Sequence, residues 1–170
     1  MSAYIALLRA VNVGGTGKLP MTELVAMCEA AGYTKIKTYI ASGNVVFASR
    51  QGEAKVKAVL EAALALYAGK PVGVLVRTPK QMARVLANNP FTSAAPNRTV
   101  AIFLDDAPPQ DTLKTISHQN GEEIALGERE IYVHYGDGMA DSKLKIGPAQ
   151  NGTARNMNTV AKLAEMAAKI

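Results

Sequence analysis

Three polar segments, residues 9–18, 42–44 and 153–159, interrupt the apolar patterns of this sequence. Each lies at the end of a predicted helix or strand, where binding side chains are commonly found. Guanidinium, ammonium and amide groups donate hydrogen bonds that can orient phosphates and carboxylates. The candidate ligand-binding residues are Arg9, Asn12, Gly14, Gly15, Lys18, Ser42, Asn44, Arg155 and Asn156.

The first segment is glycine-rich and basic and lies between a predicted strand and a predicted helix, as phosphate-binding loops do. A Walker A loop ending at Lys18 would need glycine in place of Asn12 and a hydroxyl residue in place of Leu19. A dinucleotide-binding loop starting at Gly15 would need a third glycine where Pro20 stands. Two interpretations stay open: a flexible loop whose glycines serve backbone geometry, or a contact with an anion.

The third segment opens the predicted C-terminal helix, where Thr153 or Asn156 is expected to cap the first turn. Arg155 lies beside that helix start, which already carries a partial positive charge. An arginine is favourable there when a bound anion or an acidic side chain of the second half compensates it. Both explanations remain open.

No catalytic constellation is recognisable in the sequence. His118 and His134 have no partner at metal-binding spacing, so we interpret both as structural or exposed. Glu122 and Glu123 are adjacent and would point to opposite faces of a strand. We expect no metal and no cofactor, and whether the protein is an enzyme stays open. An enzyme here would use electrostatic stabilisation, with the substrate or Ser42 as the nucleophile.

The positive charge is concentrated in the first half of the chain. Residues 1–85 carry 11 Lys and Arg against 4 Asp and Glu, whereas residues 86–170 carry 8 against 10. This asymmetry leaves open a salt-sensitive, non-specific contact with nucleic acid, although the lysines form no dense run. Only Tyr4, Tyr39 and Phe47 would be available near the central strands for base stacking.

Composition predicts a folded protein of the cytoplasm. Apolar stretches are broken well before the roughly 18 residues that a membrane span needs, and the first residues do not resemble a signal peptide. The single cysteine, Cys28, cannot form an internal disulfide. It continues a helical stripe with Leu24, so we expect it in the core.

Residues 1–78 are expected to form a first α+β lobe with the element order βαββαβ. Strands are predicted at residues 4–9, 35–40, 45–47 and 72–76, and amphipathic helices between residues 20 and 32 and between 56 and 69. A turn at residues 42–44 uses Gly43 for its positive φ. The order is ferredoxin-like, with two helices covering one face of a four-stranded antiparallel sheet.

Residues 79–170 are expected to form a second α+β lobe that partly repeats the first, with the boundary between about residues 78 and 98. The predicted elements are a helix at 81–87, a strand at 99–104, a helix at 108–117, a hairpin of 123–126 with 131–135, and a C-terminal helix from 156.

Three motifs carry a resemblance to a known family. They are YIALLRAVNVGG at residues 4–15, TYIASGNVVF at 38–47 and TARNMNTVAKL at 153–163. In these places the chain resembles the Domain of Unknown Function 1697 family. The resemblance implies a two-lobed α+β fold in the bacterial cytoplasm, and it implies no activity, substrate or catalytic residue.

The chain departs from the commoner pattern of that family in three places. Ala10 stands where glycine is frequent, Met157 stands where tryptophan is frequent, and the segment between Leu144 and Thr153 is short. If the aromatic residue of the family stacks on a ligand, Met157 puts that stacking in doubt here. If it is a packing residue, methionine fills the same space.

The leading hypothesis is a non-catalytic protein that binds a small phosphate- or carboxylate-bearing ligand. The candidate residues are rich in cationic and amide donors and include no evident base, which favours binding over catalysis. A metal-independent enzyme and a non-specific nucleic-acid binder are the alternatives. The sequence does not define the oligomeric state.

Overall fold

The structure is a computed structural model that describes residues 1–12 and 18–170, without the side chains of residues 137, 138 and 140. The described strands are β1 (Ser2–Leu8), β2 (Thr34–Thr38), β3 (Asn44–Ser49), β4 (Val74–Arg77), β5 (Thr99–Phe103), β6 (Glu123–Leu126), β7 (Glu130–His134) and β8 (Thr153–Asn156). The described α-helices are α1 (Met21–Ala30), α2 (Glu53–Ala68), α3 (Pro79–Ala87) and α4 (Met157–Ala168). Within these residues no helix has both the length and the apolar character to cross a bilayer.

Internal contacts divide the chain into two compact units. Unit 1 comprises Met1–Met82 and Leu163–Ile170, and unit 2 comprises Ala83–Lys162. The last residues of α4, from Leu163, thus group with unit 1, and its first residues group with unit 2.

Unit 1 contains the predicted βαββαβ order. Its antiparallel sheet has the strand order β2-β3-β1-β4. Pro20 immediately precedes α1, and Gly69 ends α2 with a left-handed φ of 71°. Both are the boundary signals that the sequence predicts, because proline tolerates a helix start and glycine tolerates positive φ.

The core of unit 1 lies between the sheet and the two helices. Tyr33 stacks on Phe47 with ring centroids 4.5 Å apart, and Leu24 of α1 is fully buried in the same cluster. Cys28 is buried there as predicted, and burial raises the pKa of its thiol to about 12. The ring of Phe47 is therefore buried in the core and is not available to stack on a nucleic-acid base.

Unit 2 contains a second antiparallel sheet with the strand order β6-β7-β5-β8. This order repeats that of unit 1: in each unit the third strand and the fourth flank the first, and the second is an outer strand. The predicted partial repeat is confirmed. Its core includes Ile102, Ile131 and Val133.

Two expectations for unit 2 were wrong. The predicted helix at 108–117 is a single 3₁₀ turn, Thr112–Lys114. The hydroxyl of Thr112 donates to the Pro109 carbonyl at 2.6 Å and that of Thr115 to the Thr112 carbonyl at 2.9 Å, so side chains compete with the helical pattern. Residues 153–156, where no strand was predicted, form strand β8 beside β5, and the periodicity of three polar residues and one alanine does not reveal it.

A side-chain clamp protects the outer edge of β4, which pairs only with β1 in its sheet. The backbone N–H of Val74 donates to Glu61 Oε2 at 3.2 Å, and Lys57 Nζ donates to the Val74 carbonyl at 2.5 Å. Lys57 and Glu61 also form an ion pair at 3.3 Å. One turn of α2 therefore satisfies backbone groups that an exposed strand edge would offer to another chain.

Glu61→Ala should accelerate amide hydrogen exchange at Val74 by about fivefold, because losing this bond costs about 1 kcal/mol. Glu61→Gln keeps an oxygen acceptor and should stay near the parent rate. The measurement is hydrogen exchange followed by NMR. Equal exchange at Val74 in the parent and in Glu61→Ala would show that the bond does not protect the edge.

Candidate functional site

The side-chain amide of Asn12 joins three segments of unit 1, and we call its three hydrogen bonds the Asn12 clamp. Its Nδ2 donates to the carbonyls of Leu19 and Ala41, each at 2.8 Å, and its Oδ1 accepts from the Leu19 N–H at 2.7 Å. The end of β1, the entry to α1 and the turn before β3 are thereby joined. Asn12 has a φ of 55°, a region that asparagine enters more readily than most residues.

The second polar segment forms the turn between β2 and β3. Asn44 is fully buried, and its Nδ2 donates to the Tyr39 carbonyl at 2.8 Å and to Ser42 Oγ at 2.9 Å. Gly43 has a φ of 92°, and a Cβ added there would lie 2.7 Å from Val11 and 2.8 Å from Leu8. The prediction of positive φ at Gly43 is confirmed, and close packing adds a second reason for glycine.

The first two polar segments therefore meet where Gly43 packs against Val11, and Asn12 bonds to the Ala41 carbonyl next to this contact. The amides of Asn12 and Asn44 are engaged with the protein itself, so their observed role is to shape this region. Arg9 is exposed on its side chain, and its backbone N–H donates to the Gly73 carbonyl at 2.9 Å. The candidates Gly14 and Gly15, with the predicted flexible loop, lie outside the described residues.

A cavity of about 240 Å³ lies beside this junction. It is lined by Ala10, Val11, Lys18, Leu19, Leu64, Tyr67, Ala68, Lys70 and Val72. Val11, Leu19 and Leu64 are buried, whereas Lys18, Lys70 and Tyr67 are exposed. The cavity thus has an apolar inner wall and a cationic side that faces solvent.

The two lysines of the cavity have no partner within residues 1–12 and 18–170, where no hydrogen bond or ion pair involves either ammonium. Lys70 follows the C-terminal end of α2, where free carbonyls carry partial negative charge. The field of the helix therefore offsets part of the charge of Lys70. Lys18 precedes α1 by three residues, where the partial positive charge of a helix start adds to that of its ammonium, and it offers the stronger attraction to an anion.

Sequence reasoning found Lys18 but missed Tyr67, Lys70 and Val72 as cavity residues. Tyr67 has the helical spacing of a buried residue, three positions after Leu64, yet it is 45% exposed. The available signal was the predicted helix stop at Gly69, since residues beside a helix end often line a site. Pairing that end with the Lys18 segment required the tertiary structure.

The third polar segment belongs to unit 2 and is described by itself. Arg155 is buried, and its guanidinium donates to Thr153 Oγ1 at 2.7 Å and to the Ala154 carbonyl at 2.9 Å. Burial lowers the pKa of Arg155 to about 10, which leaves it protonated at neutral pH. Asn156 Oδ1 accepts from the Thr159 N–H at 2.9 Å, so the predicted cap of α4 is confirmed.

A second cavity, of about 430 Å³, lies in unit 2 and is lined by residues with polar side chains. Among its lining residues, Glu122 is buried and accepts from Ser142 Oγ at 2.6 Å and from the Asn120 N–H. The bond from Ser142, then that from Asn120, lowers the pKa of this carboxyl below its ordinary value. A carboxylate held ionised in this way joins the loop of Asn120 to that of Ser142, and it is a poor proton acceptor.

Each of the two histidines lies beside a hydroxyl group. His134 contacts Thr99 Oγ1 at 3.1 Å, and His118 is exposed beside Ser117. Among the described residues, no group of three His, Cys, Asp or Glu side chains could hold a metal ion.

Two antiparallel sheets with the same strand order, together with the helices, define an α+β protein. Comparison with known proteins identifies its family. The chain belongs to the family described as "Protein of unknown function (DUF1697)", which matches residues 1–132. This match confirms the resemblance and includes its first two motifs. The fold is similar to that of the conserved bacterial protein SP0830 from Streptococcus pneumoniae, with a TM-score of 0.80 and 25% identity over 98% of each chain. No curated protein matches the chain.

Asn12→Gly should lower the free energy of unfolding by about 2 kcal/mol, because three hydrogen bonds to backbone groups are lost. Asn12→Ala should cost about 1 kcal/mol more, since alanine is strained at the φ of 55°. Urea unfolding measures both values. Variants as stable as the parent would show that the Asn12 clamp does not stabilise the fold.

Ser142→Ala should make the free energy of unfolding less dependent on pH in the acidic range. The hydrogen bond from Ser142 lowers the pKa of the Glu122 carboxyl in the folded state. The carboxyl therefore contributes its full share of the free energy of unfolding above the pKa of the unfolded state, and this share is lost as the pH falls through the pKa of the folded state. The stability gap between parent and variant should therefore be widest near neutral pH and shrink below about pH 4. The exposed Ser93→Ala is the matched control. A gap that is constant with pH would contradict the assignment.

Proposed function

We propose that unit 1 binds a small anionic ligand in the cavity beside the Asn12 clamp. The observation that carries this proposal is the pair of lysines, Lys18 and Lys70, which line one cavity without a partner in the described part of the chain. An ammonium beside an apolar wall attracts an anion more strongly than one in open solvent, because the local dielectric is lower. Phosphate and carboxylate groups are the matching chemistry.

The remaining candidate residues take different roles in this proposal. Arg9 precedes the lining residue Ala10 and adds positive charge that would steer an anion toward the opening. Ser42 and Asn44 support the turn against which Val11 packs. Arg155 and Asn156 belong to unit 2 and are not needed for binding at this cavity.

The setting we propose is a ferredoxin-like unit in a cytoplasmic protein. The βαββαβ order supports the first assignment. A lone cysteine kept as a buried thiol supports the second, because proteins of oxidising compartments commonly use cysteine in disulfides.

Lys18→Met should weaken binding of an anionic ligand by about five- to tenfold, and Lys70→Met by less, because the C-terminal end of α2 already offsets its charge. Lys55→Met, on the exposed face of α2 and outside the cavity, is the matched control and should leave affinity unchanged. Ligands come from a thermal-shift screen of carboxylates, sugar phosphates, nucleotides and short oligonucleotides at two salt concentrations. A ligand at 100 times its Kd adds about 2.7 kcal/mol of apparent stability.

Two results would contradict the proposal. Binding that is equally tight in the parent, Lys18→Met and Lys70→Met would place the ligand elsewhere. A screen in which only oligonucleotides bind, with affinity falling steeply as salt rises, would favour a nucleic-acid surface instead.

A further inference from the structure

We infer that the ligand of unit 1 is a carboxylate with a compact apolar body, such as an arylacetate, rather than an inorganic anion or a nucleotide. This inference rests on the proposed function and names its ligand class. The observation behind it is the contrast within one cavity between a buried aliphatic wall and an exposed cationic side.

The inner wall is built from Val11, Leu19 and Leu64, which come from three separate segments of unit 1. None of these side chains can donate a hydrogen bond, so a bare phosphate entering here would lose water without replacement. An apolar group loses no hydrogen bonds on entry and gains from leaving water. The wall therefore selects for a ligand with an apolar portion.

The volume limits how large that portion can be. About 240 Å³ is the space that about eight water molecules occupy in the liquid. A phenyl ring with a one-carbon arm and a carboxylate fits within such a space. A base, a ribose and a phosphate together are larger than this space, so part of a nucleotide would lie outside it.

Tyr67 provides the aromatic element. Its side chain lines the cavity and is 45% exposed, and no hydrogen bond of its hydroxyl is found within the described residues. A ring at the opening can contact the edge or face of an aryl body. Lys18 and Lys70 line the same cavity and are exposed, so a carboxylate bound to either would remain partly hydrated.

The discriminating experiment compares three probes by calorimetry on the full chain: phenylacetate, acetate and 2-phenylethanol. Phenylacetate should bind at least tenfold more tightly than acetate, which has the head group alone, and at least tenfold more tightly than 2-phenylethanol, which has the neutral body. Inorganic phosphate is the further anionic control and should bind like acetate.

Two variants test the location. Tyr67→Ser should weaken phenylacetate at least threefold while leaving acetate unchanged, and Tyr67→Phe should retain the parent affinity. Leu66→Ser is the matched control, because Leu66 is exposed on the same helix turn and does not line the cavity. Circular dichroism confirms that each variant is folded before it is titrated.

The outcomes separate this inference from the proposed function. If acetate or phosphate binds as tightly as phenylacetate and Lys18→Met weakens that binding, the proposed anion binding is supported, and the inference that the ligand has an apolar body is wrong. If 2-phenylethanol binds as tightly as phenylacetate, the charge is irrelevant and both fail. If phenylacetate does not bind at millimolar concentration, the inference is overturned, while a Lys18-dependent ligand from the broader screen would preserve the proposed function.

Discussion

The candidate site depends on the three hydrogen bonds of one side-chain amide. Asn12 binds both backbone groups of Leu19 and the carbonyl of Ala41, so three segments that are distant in the chain keep a fixed separation. Val11 and Leu19 lie at the two ends of this clamp, and both enter the core and the cavity wall. Lys18, next to Leu19, starts from a backbone that the clamp fixes, which limits where its charge can lie.

The two units use one strand order but differ in what connects the strands. In unit 1 the connection between the third and fourth strands contains α2, whose last turn supplies Tyr67 to the cavity. In unit 2 the corresponding connection consists of 3₁₀ turns, Gly136–Asp141 and Gly147–Asn151, and Ser142 there bonds to Glu122. The sheets act as scaffolds, and the connections carry the differences in surface chemistry.

The sequence predicts unit 1 better than unit 2 for physical reasons. Helix signals such as Pro20 and Gly69 are local, and so is the demand for positive φ at Gly43, so each can be recognised from a few residues. Strand β8 forms only because β5 lies beside it, and its sequence of three polar residues and one alanine gives no sign of that partner. The Thr112 turn likewise reflects side-chain competition that helical periodicity ignores.

Only part of the candidate site could be predicted from the sequence, and the roles of its residues could not. Polar type and loop position identified Asn12 and Lys18 alike, yet the amide of Asn12 binds backbone groups while Lys18 faces the cavity. That division depends on which groups already have partners, and partners are set by tertiary contacts. The aliphatic wall of the cavity was invisible for the same reason, since Leu64 has the pattern of any core residue of a helix.

Methyl NMR during a phenylacetate titration tests the central claim most directly, because it reports where a ligand lies. The account predicts saturable shifts of the methyl signals of Val11, Leu19, Leu64 and Val72, which line the cavity. The methyl signals of Val100 and Ile131, in the core of unit 2, should stay unchanged. Shifts confined to unit 2, or the absence of saturable shifts at the cavity residues, would contradict the assignment of this cavity as the binding site of a carboxylate with an apolar body.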